Sequence, residues 1–164
     1  MDEDTSKTNN SGDEDGKNFN AACSKAEKIA LRLIARAEQS SFGLEFKLKQ
    51  RNIDADVAEE VISRLLDREL LNDQRYAELW IRSCLARKAP SPLWLIVSLG
   101  KRGIKRDLAS KAIKKVLDNE AEYALLLKYL EKIDTSEKND AARIKSKLRY
   151  EGFSFEILDR FFDN

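Results

Sequence analysis

The chain has 164 residues, of which 42% are hydrophobic and 36% charged, and its 30 basic side chains nearly balance 29 acidic ones. With only two prolines and six glycines, this composition is typical of a solvated and mostly helical protein. No apolar run approaches the ~20 residues that cross a membrane, the acidic N-terminus is unlike a secretory signal, and two cysteines do not suggest a disulfide framework. We therefore expect a cytoplasmic protein without a membrane span.

The N-terminal residues 1–24 differ in composition from the rest of the chain. The first twenty contain six acids and two lysines, with almost no apolar side chain to bury. Such a segment cannot offset the entropy cost of ordering. We expect a disordered acidic tail, which either keeps the chain soluble or competes for a basic surface.

The apolar spacing after Lys25 predicts three helices in a first repeat at about residues 25–70. Ile29 and Leu33 lie on the inner stripe of the first helix, and Ser40 or Ser41 can cap the second. The third is predicted from about Asp56 to Arg68, with an apolar stripe formed by Val57, Val61, Leu65 and Leu66.

The second repeat, at about 71–119, opens near Asn72–Asp73. Its first helix has a predicted apolar face of Tyr76, Leu79, Trp80 and Leu85. Pro90 and Pro92 break that helix and begin the next one, as prolines do at helix starts. The third repeat, at about 120–164, has its first connector in the region 134–140.

A short phrase recurs in all three repeats, at residues 48–53, 99–104 and 148–153, with spacings of 51 and 49 residues. Each copy begins with leucine and ends with an apolar residue that follows Asn or Gly. Asn and Gly tolerate the left-handed conformation that ends a helix, so the last residue of each copy should pack back on its leucine in a Schellman ending. Asp54 and Ser154 then stand where the next helix needs its N-cap, whereas Lys105 does not fit that rule.

Periods of this size indicate stacked structural repeats. We predict an all-α fold of three tandem three-helix repeats that form a short curved solenoid over residues 25–164.

The near-neutral net charge conceals a strongly basic stretch. The stretch from Arg82 to Lys115 contains ten basic residues and a single acid, Asp107, whereas residues 51–78 contain eight acids and four arginines. Such asymmetry indicates an oriented electrostatic surface. Its partner is either a nucleic-acid backbone, whose counterions are released on binding, or an acidic protein groove.

Enzymatic chemistry has little support in the sequence. Histidine is absent, which removes the usual general base and metal-binding imidazole. No glycine-rich phosphate loop is present, and two separated cysteines cannot form a structural zinc site. Trp80, at helical spacing with leucines, is typical of a core; Trp94, beside the prolines, fits either a core or a base-stacking role.

The segment from Glu69 to Ser83 resembles the most characteristic part of the RecX family, in which an aspartate, an arginine, an aromatic and an alanine precede a further arginine. Here these are Asp73, Arg75, Tyr76, Ala77 and Arg82. The phrase at 99–104 looks like that family's leucine-to-Gly-Ile element. The chain departs from the family pattern between Lys88 and Leu99, where prolines replace glycine and arginines, so the flanking cations would carry the basic contact.

The resemblance implies a non-enzymatic regulator of RecA, the recombinase that forms filaments on single-stranded DNA. The resemblance further implies binding in the filament groove, with suppression of ATP hydrolysis and strand exchange. We therefore expect a monomer that needs no cofactor and binds the RecA filament, with single- or double-stranded DNA as a second candidate partner. The candidate binding residues are Arg75, Arg82, Arg87, Lys88, Lys101, Arg102, Lys105, Arg106, Lys111, Lys114 and Lys115.

Two other functions fit the same residues. One is a general helical DNA-binding protein, such as a transcription regulator with a helix-turn-helix, which would bind duplex with base preference. The other is a protein-only scaffold whose basic face meets an acidic partner.

Overall fold

The computed structural model describes residues 11–132 and 141–163, with side chains from residue 14 onward. Over these ranges the chain forms nine helices and no strand, which confirms the predicted all-α class. The helices are α1 Ser11–Arg36, α2 Ser41–Lys49, α3 Ala55–Asp67, α4 Asp73–Arg87, α5 Pro92–Gly100, α6 Arg106–Val116, α7 Asn119–Leu130, α8 Ala141–Tyr150 and α9 Phe155–Phe162. None of these described helices is both long and apolar enough to span a bilayer.

The same three-helix arrangement occurs three times along the chain. The third helix of each set contacts the first two: α3 packs on α1 and α2, α6 on α4 and α5, and α9 on α7 and α8. The chain divides into two compact units, Met1–Asn72 with α1–α3 and Asp73–Asn164 with α4–α9. Each unit has its own buried cluster, centred on leucines such as Leu48 in the first and Leu99 in the second.

The Schellman endings predicted from the recurring phrase are present at all three positions. The left-handed residues are Asn52 with φ 59°, Gly103 with φ 80° and Gly152 with φ 89°. The next amide donates to the carbonyl of the leucine five residues earlier: 3.3 Å for Ile53, 3.1 Å for Ile104 and 3.2 Å for Phe153. These bonds satisfy carbonyls that the helix end leaves unpaired.

The N-termini of the helices only partly follow the sequence prediction. Ser40 accepts a hydrogen bond from the Gly43 amide at 3.1 Å, which selects Ser40 over Ser41 as the cap of α2. Asp54 and Ser154 do stand at N-cap positions, but neither side chain makes a cap bond. Lys105 is therefore not exceptional, because the third helix of every repeat begins without a side-chain cap.

The first helix begins earlier than the sequence suggested. We expected a disordered tail to residue 24, but α1 starts at Ser11. Ala22 packs against the core of the first unit and Cys23 is fully buried in it, which anchors the helix N-terminal to Lys25. The first ten residues of the expected tail, and the predicted connector at 134–140, lie outside the described residues.

The predicted face of α4 is wrong in one position. Its buried residues are Ala77, Ile81 and Cys84, and the larger Trp80 packs partly buried beside them. Leu79, which we placed on the apolar face, is 50% exposed because it lies opposite this stripe. Leu66 of α3 is likewise exposed.

Candidate functional site: a basic and aromatic surface

The eleven predicted binding residues all lie in the second unit, and all except the half-buried Arg102 are exposed. Arg75, Arg82 and Arg87 belong to α4, and Lys88 follows it. Lys101 and Arg102 occupy the turn after α5, and Lys105 precedes α6. The remaining four lie on α6: Arg106, Lys111, Lys114 and Lys115.

The turn between α5 and α6 concentrates the predicted cations most densely. Lys101 and Lys105 lie in this turn and Arg106 is the first residue of α6; we call these three exposed residues the turn cations. The Schellman ending fixes this turn, since the Ile104 amide donates to the Leu99 carbonyl at 3.1 Å. A short, hydrogen-bonded turn and the first residue of α6 therefore present three positive charges close together, which suits an anionic partner.

Arg102, in the same turn, has a different role. Its guanidinium donates to the Ser98 carbonyl at 2.8 Å and lies 4.4 Å from the centroid of the Trp80 ring. These contacts hold Arg102 against the protein. It therefore supports the surface more than it offers a charge to a partner.

Two other predicted residues are engaged within the unit. The Lys115 ammonium lies 2.9 Å from the Glu78 carboxylate and so ties α6 to α4. This hydrogen bond from Lys115, helped by one from Gln74, lowers the pKa of Glu78. Arg87 donates to the Ser83 carbonyl and hydroxyl at 3.0 Å each. Lys115 in particular has a structural contact that sequence reasoning did not predict.

The structure also brings together two tryptophans that we left out of the candidate set. The rings of Trp80 and Trp94 stack with centroids 5.9 Å apart and an interplanar angle of 17°. The Lys88 ammonium lies 3.6 Å from the centroid of the Trp94 ring. Lysine, two indoles and Arg102 thus form one column, which we call the tryptophan column. Such cation–π contacts are attractive because the ring face is negative.

A shallow depression of about 490 Å³ opens beside Trp94. Lys88, Pro90, Val97, Tyr129 and Glu151 contribute to its lining. Burial raises the pKa of Tyr129, and the nearby Glu151 carboxylate raises it further, so this hydroxyl stays protonated at neutral pH. The lining therefore combines aromatic and apolar surface with one cation and one anion.

Local structure fixes the position of Trp94. The Ser91 hydroxyl accepts a hydrogen bond from the Trp94 amide at 3.2 Å, and Pro92 begins the helix. The Leu93 amide donates to the Glu151 carbonyl at 2.9 Å, which joins the start of α5 to the turn before α9. The two prolines marked the start of this helix in the sequence, but they did not specify that the Trp94 ring lies against Trp80.

Among residues 11–132 and 141–163, no cluster of three metal-binding side chains is present. The described surface instead offers charge and aromatic area, which suit binding.

Comparison with known proteins gives matches to one family. Two domain models match, namely RecX, first three-helix domain, at residues 26–65 and RecX, second three-helix domain, at residues 72–113. These ranges fall on α1–α3 and α4–α6.

Whole-chain comparisons agree with the domain matches. Regulatory protein RecX of Treponema pallidum subsp. pallidum is 34% identical over 115 residues, which cover 70% of this chain and 70% of that protein. Regulatory protein RecX of Syntrophotalea carbinolica is 30% identical over 141 residues, covering 81% and 91%. The crystal structure of RecX from Lactobacillus salivarius superposes with a TM-score of 0.67 at 26% identity, covering 87% of this chain and 96% of that one.

Proposed function

Because the chain belongs to the RecX family of regulatory proteins, we propose that it regulates the RecA recombinase without being an enzyme. In this proposal it binds, as a monomer in the cytoplasm and without a cofactor, to the filament that RecA forms on single-stranded DNA. The observation that carries the proposal is the row of exposed turn cations, Lys101, Lys105 and Arg106, at a hydrogen-bonded turn.

The filament that RecA forms on DNA is a polyanion. A nucleoprotein filament carries the phosphates of its DNA, and cations placed against them release condensed counterions. The turn cations lie in the stretch from Arg82 to Lys115, which contains ten basic residues and one acidic residue. This stretch therefore favours an anionic groove over a neutral protein surface.

The effect on the recombinase follows from differential affinity. A ligand changes the activity of a filament only if it binds one state of that filament more tightly than another. We propose that the protein favours a state that hydrolyses ATP slowly, so that hydrolysis and strand exchange both fall.

The direct test is ATP hydrolysis by the cognate RecA on single-stranded DNA, titrated with this protein. We expect hydrolysis to fall at less than one molecule per recombinase subunit, because one bound molecule affects a filament of many subunits. Unchanged hydrolysis at a molar excess would contradict the proposal.

A charge-reversal variant tests whether the turn cations anchor the protein to the filament. In Lys101→Glu, Lys105→Glu, Arg106→Glu, the concentration for half-inhibition should rise about three- to 140-fold, since exposed ion pairs contribute about 0.2–1 kcal/mol each. The matched control reverses three exposed cations of α1, Lys25, Lys28 and Arg32, with the same change in net charge. Equal weakening in both variants would show that only net charge matters and would reject the turn as the anchor.

A further inference from the structure

The tryptophan column has one face that a ligand can reach. Rings 5.9 Å apart leave no room for an ammonium between them, so Lys88 covers the face of Trp94 that points away from Trp80. Trp94 is 39% exposed, and Lys88 is exposed at the end of a flexible side chain. The outer face of Trp94 is therefore covered by the ammonium of an exposed lysine, whose long side chain has other rotamers open to it.

The inner side of the column is fixed. Trp80 packs against the core cluster of the second unit, and the Arg102 guanidinium lies 4.4 Å from the Trp80 ring centroid while it donates to the Ser98 carbonyl. The Trp94 backbone is fixed by the Ser91 cap. The indole plane is thus held in place before any ligand arrives, which reduces the entropy cost of binding.

We propose that Trp94 is a stacking platform for one unpaired base of single-stranded DNA. In the free protein Lys88 covers the ring. When a base binds, it displaces the ammonium from the ring, and the ammonium pairs with a neighbouring phosphate. This inference goes beyond the proposed function, because it concerns DNA contact by the protein alone, without recombinase.

The relative strengths of the two contacts favour the exchange. An exposed cation–π contact contributes about two- to fivefold to an equilibrium constant. Base–aromatic stacking contributes about five- to 150-fold per base. The displaced ammonium also gains a phosphate, so little of its own interaction is lost.

The surroundings identify the occupant by its chemistry. A nucleotide presents a flat aromatic ring next to an anion, and this site presents an indole next to an ammonium. The depression of about 490 Å³ falls within the ~300–1,000 Å³ of ligand sites. Glu151 also lines the depression and would repel a phosphate near its carboxylate, so the phosphate is expected beside the Lys88 ammonium. A duplex keeps its bases stacked internally, so only a single strand fits.

Intrinsic fluorescence tests the proposal directly, because Trp80 and Trp94 are the two tryptophans of the chain. The probe is an oligothymidylate of about twelve nucleotides, within the site sizes of single-strand binders. We expect saturable quenching by this strand and much weaker quenching by an abasic strand of equal length and charge. Equal binding of the abasic strand would overturn the proposal, since phosphates alone would then explain the affinity.

Variants separate stacking from charge. Trp94→Ala should weaken binding of the oligothymidylate about five- to 150-fold, measured by anisotropy of a labelled strand, whereas Trp94→Phe should largely keep it. The control is Phe155→Ala, which removes another exposed aromatic with a cation above it, Arg149 at 4.0 Å from the ring centroid. Circular dichroism shows whether each variant keeps its helices. If Trp94→Ala unfolds, the affinity of Trp94→Phe and the comparison with the abasic strand still test whether Trp94 stacks on a base.

Two further outcomes reject the site. If Phe155→Ala weakens binding as much as Trp94→Ala, the effect is not specific to the tryptophan column. If RecA without DNA quenches the tryptophans and oligothymidylate does not, the platform belongs to a protein partner. The two proposals are tested separately. If Trp94→Ala inhibits RecA ATP hydrolysis as strongly as the wild type does, the proposed regulation does not depend on Trp94, and the oligothymidylate measurements alone decide whether Trp94 stacks on a base.

Discussion

The fold constrains the identity of residue 152 in two ways. Its φ of 89° lies in the left-handed region, where a side chain is strained. A Cβ placed there would also lie 3.2 Å from the Leu93 nitrogen and 3.4 Å from the Pro92 Cβ. Glycine is therefore needed twice, once to end α8 and once to let the start of α5 approach this turn.

We predict that Gly152→Ala lowers the free energy of unfolding by about 1–3 kcal/mol, because backbone strain and a close contact act together. The control is Gly100→Ala, at a helical position where a Cβ would meet no atom within 4 Å. That change should stabilise the protein by about 0.5–1 kcal/mol through helix propensity. Urea denaturation measures both, and a destabilised Gly100→Ala variant or a neutral Gly152→Ala variant would contradict this account.

At the scale of the helices, the contact between Glu78 and Lys115 joins α4 to α6 and depends on pH. Because hydrogen bonds from Lys115 and then Gln74 lower the pKa of Glu78, the folded state holds the ionised form more tightly than the unfolded chain. The resulting stabilisation is fully present above the ordinary glutamate pKa. It is lost as the pH falls through the lowered value.

We predict that Lys115→Met raises the pKa of Glu78 toward its ordinary value, as followed by NMR titration of the carboxyl carbon. The difference in unfolding free energy between wild type and variant should be largest near neutral pH and should shrink in acid. Lys114→Met is the matched control, since it removes an exposed neighbouring ammonium from the same helix. A shift of equal size in that variant would assign the effect to general charge and not to the contact.

The helix ends could be predicted from sequence more reliably than the binding surface. The phrase ending in Ile53, Ile104 and Phe153 encodes a local conformation, so residue type alone specified it. The column of Trp80 and Trp94 depends on how α4 and α5 pack, which no local pattern contains. Leu79 was placed on the apolar face because its spacing fits an apolar stripe, whereas the buried stripe of α4 is formed by Ala77, Ile81 and Cys84.

At the scale of the whole molecule, the charge distribution and the aromatic site should contribute separately to DNA binding. The net charge of +1 conceals the ten basic residues between Arg82 and Lys115. For single strands, the logarithm of the affinity falls with the logarithm of the salt concentration by about 0.7 per phosphate contact. Stacking on an indole involves no counterion release.

This separation gives a prediction in two parts. Neutralising the turn cations, in Lys101→Gln, Lys105→Gln, Arg106→Gln, should make the salt dependence shallower by about 2 units of slope. Trp94→Ala should instead lower the affinity for oligothymidylate by a similar factor at every salt concentration, because its contact carries no charge. Fluorescence anisotropy between about 50 and 200 mM salt measures both slopes. If the neutralised variant kept the wild-type slope, the turn cations would not contact phosphate; if Trp94→Ala changed the slope, its ring would act by positioning Lys88 and not by stacking.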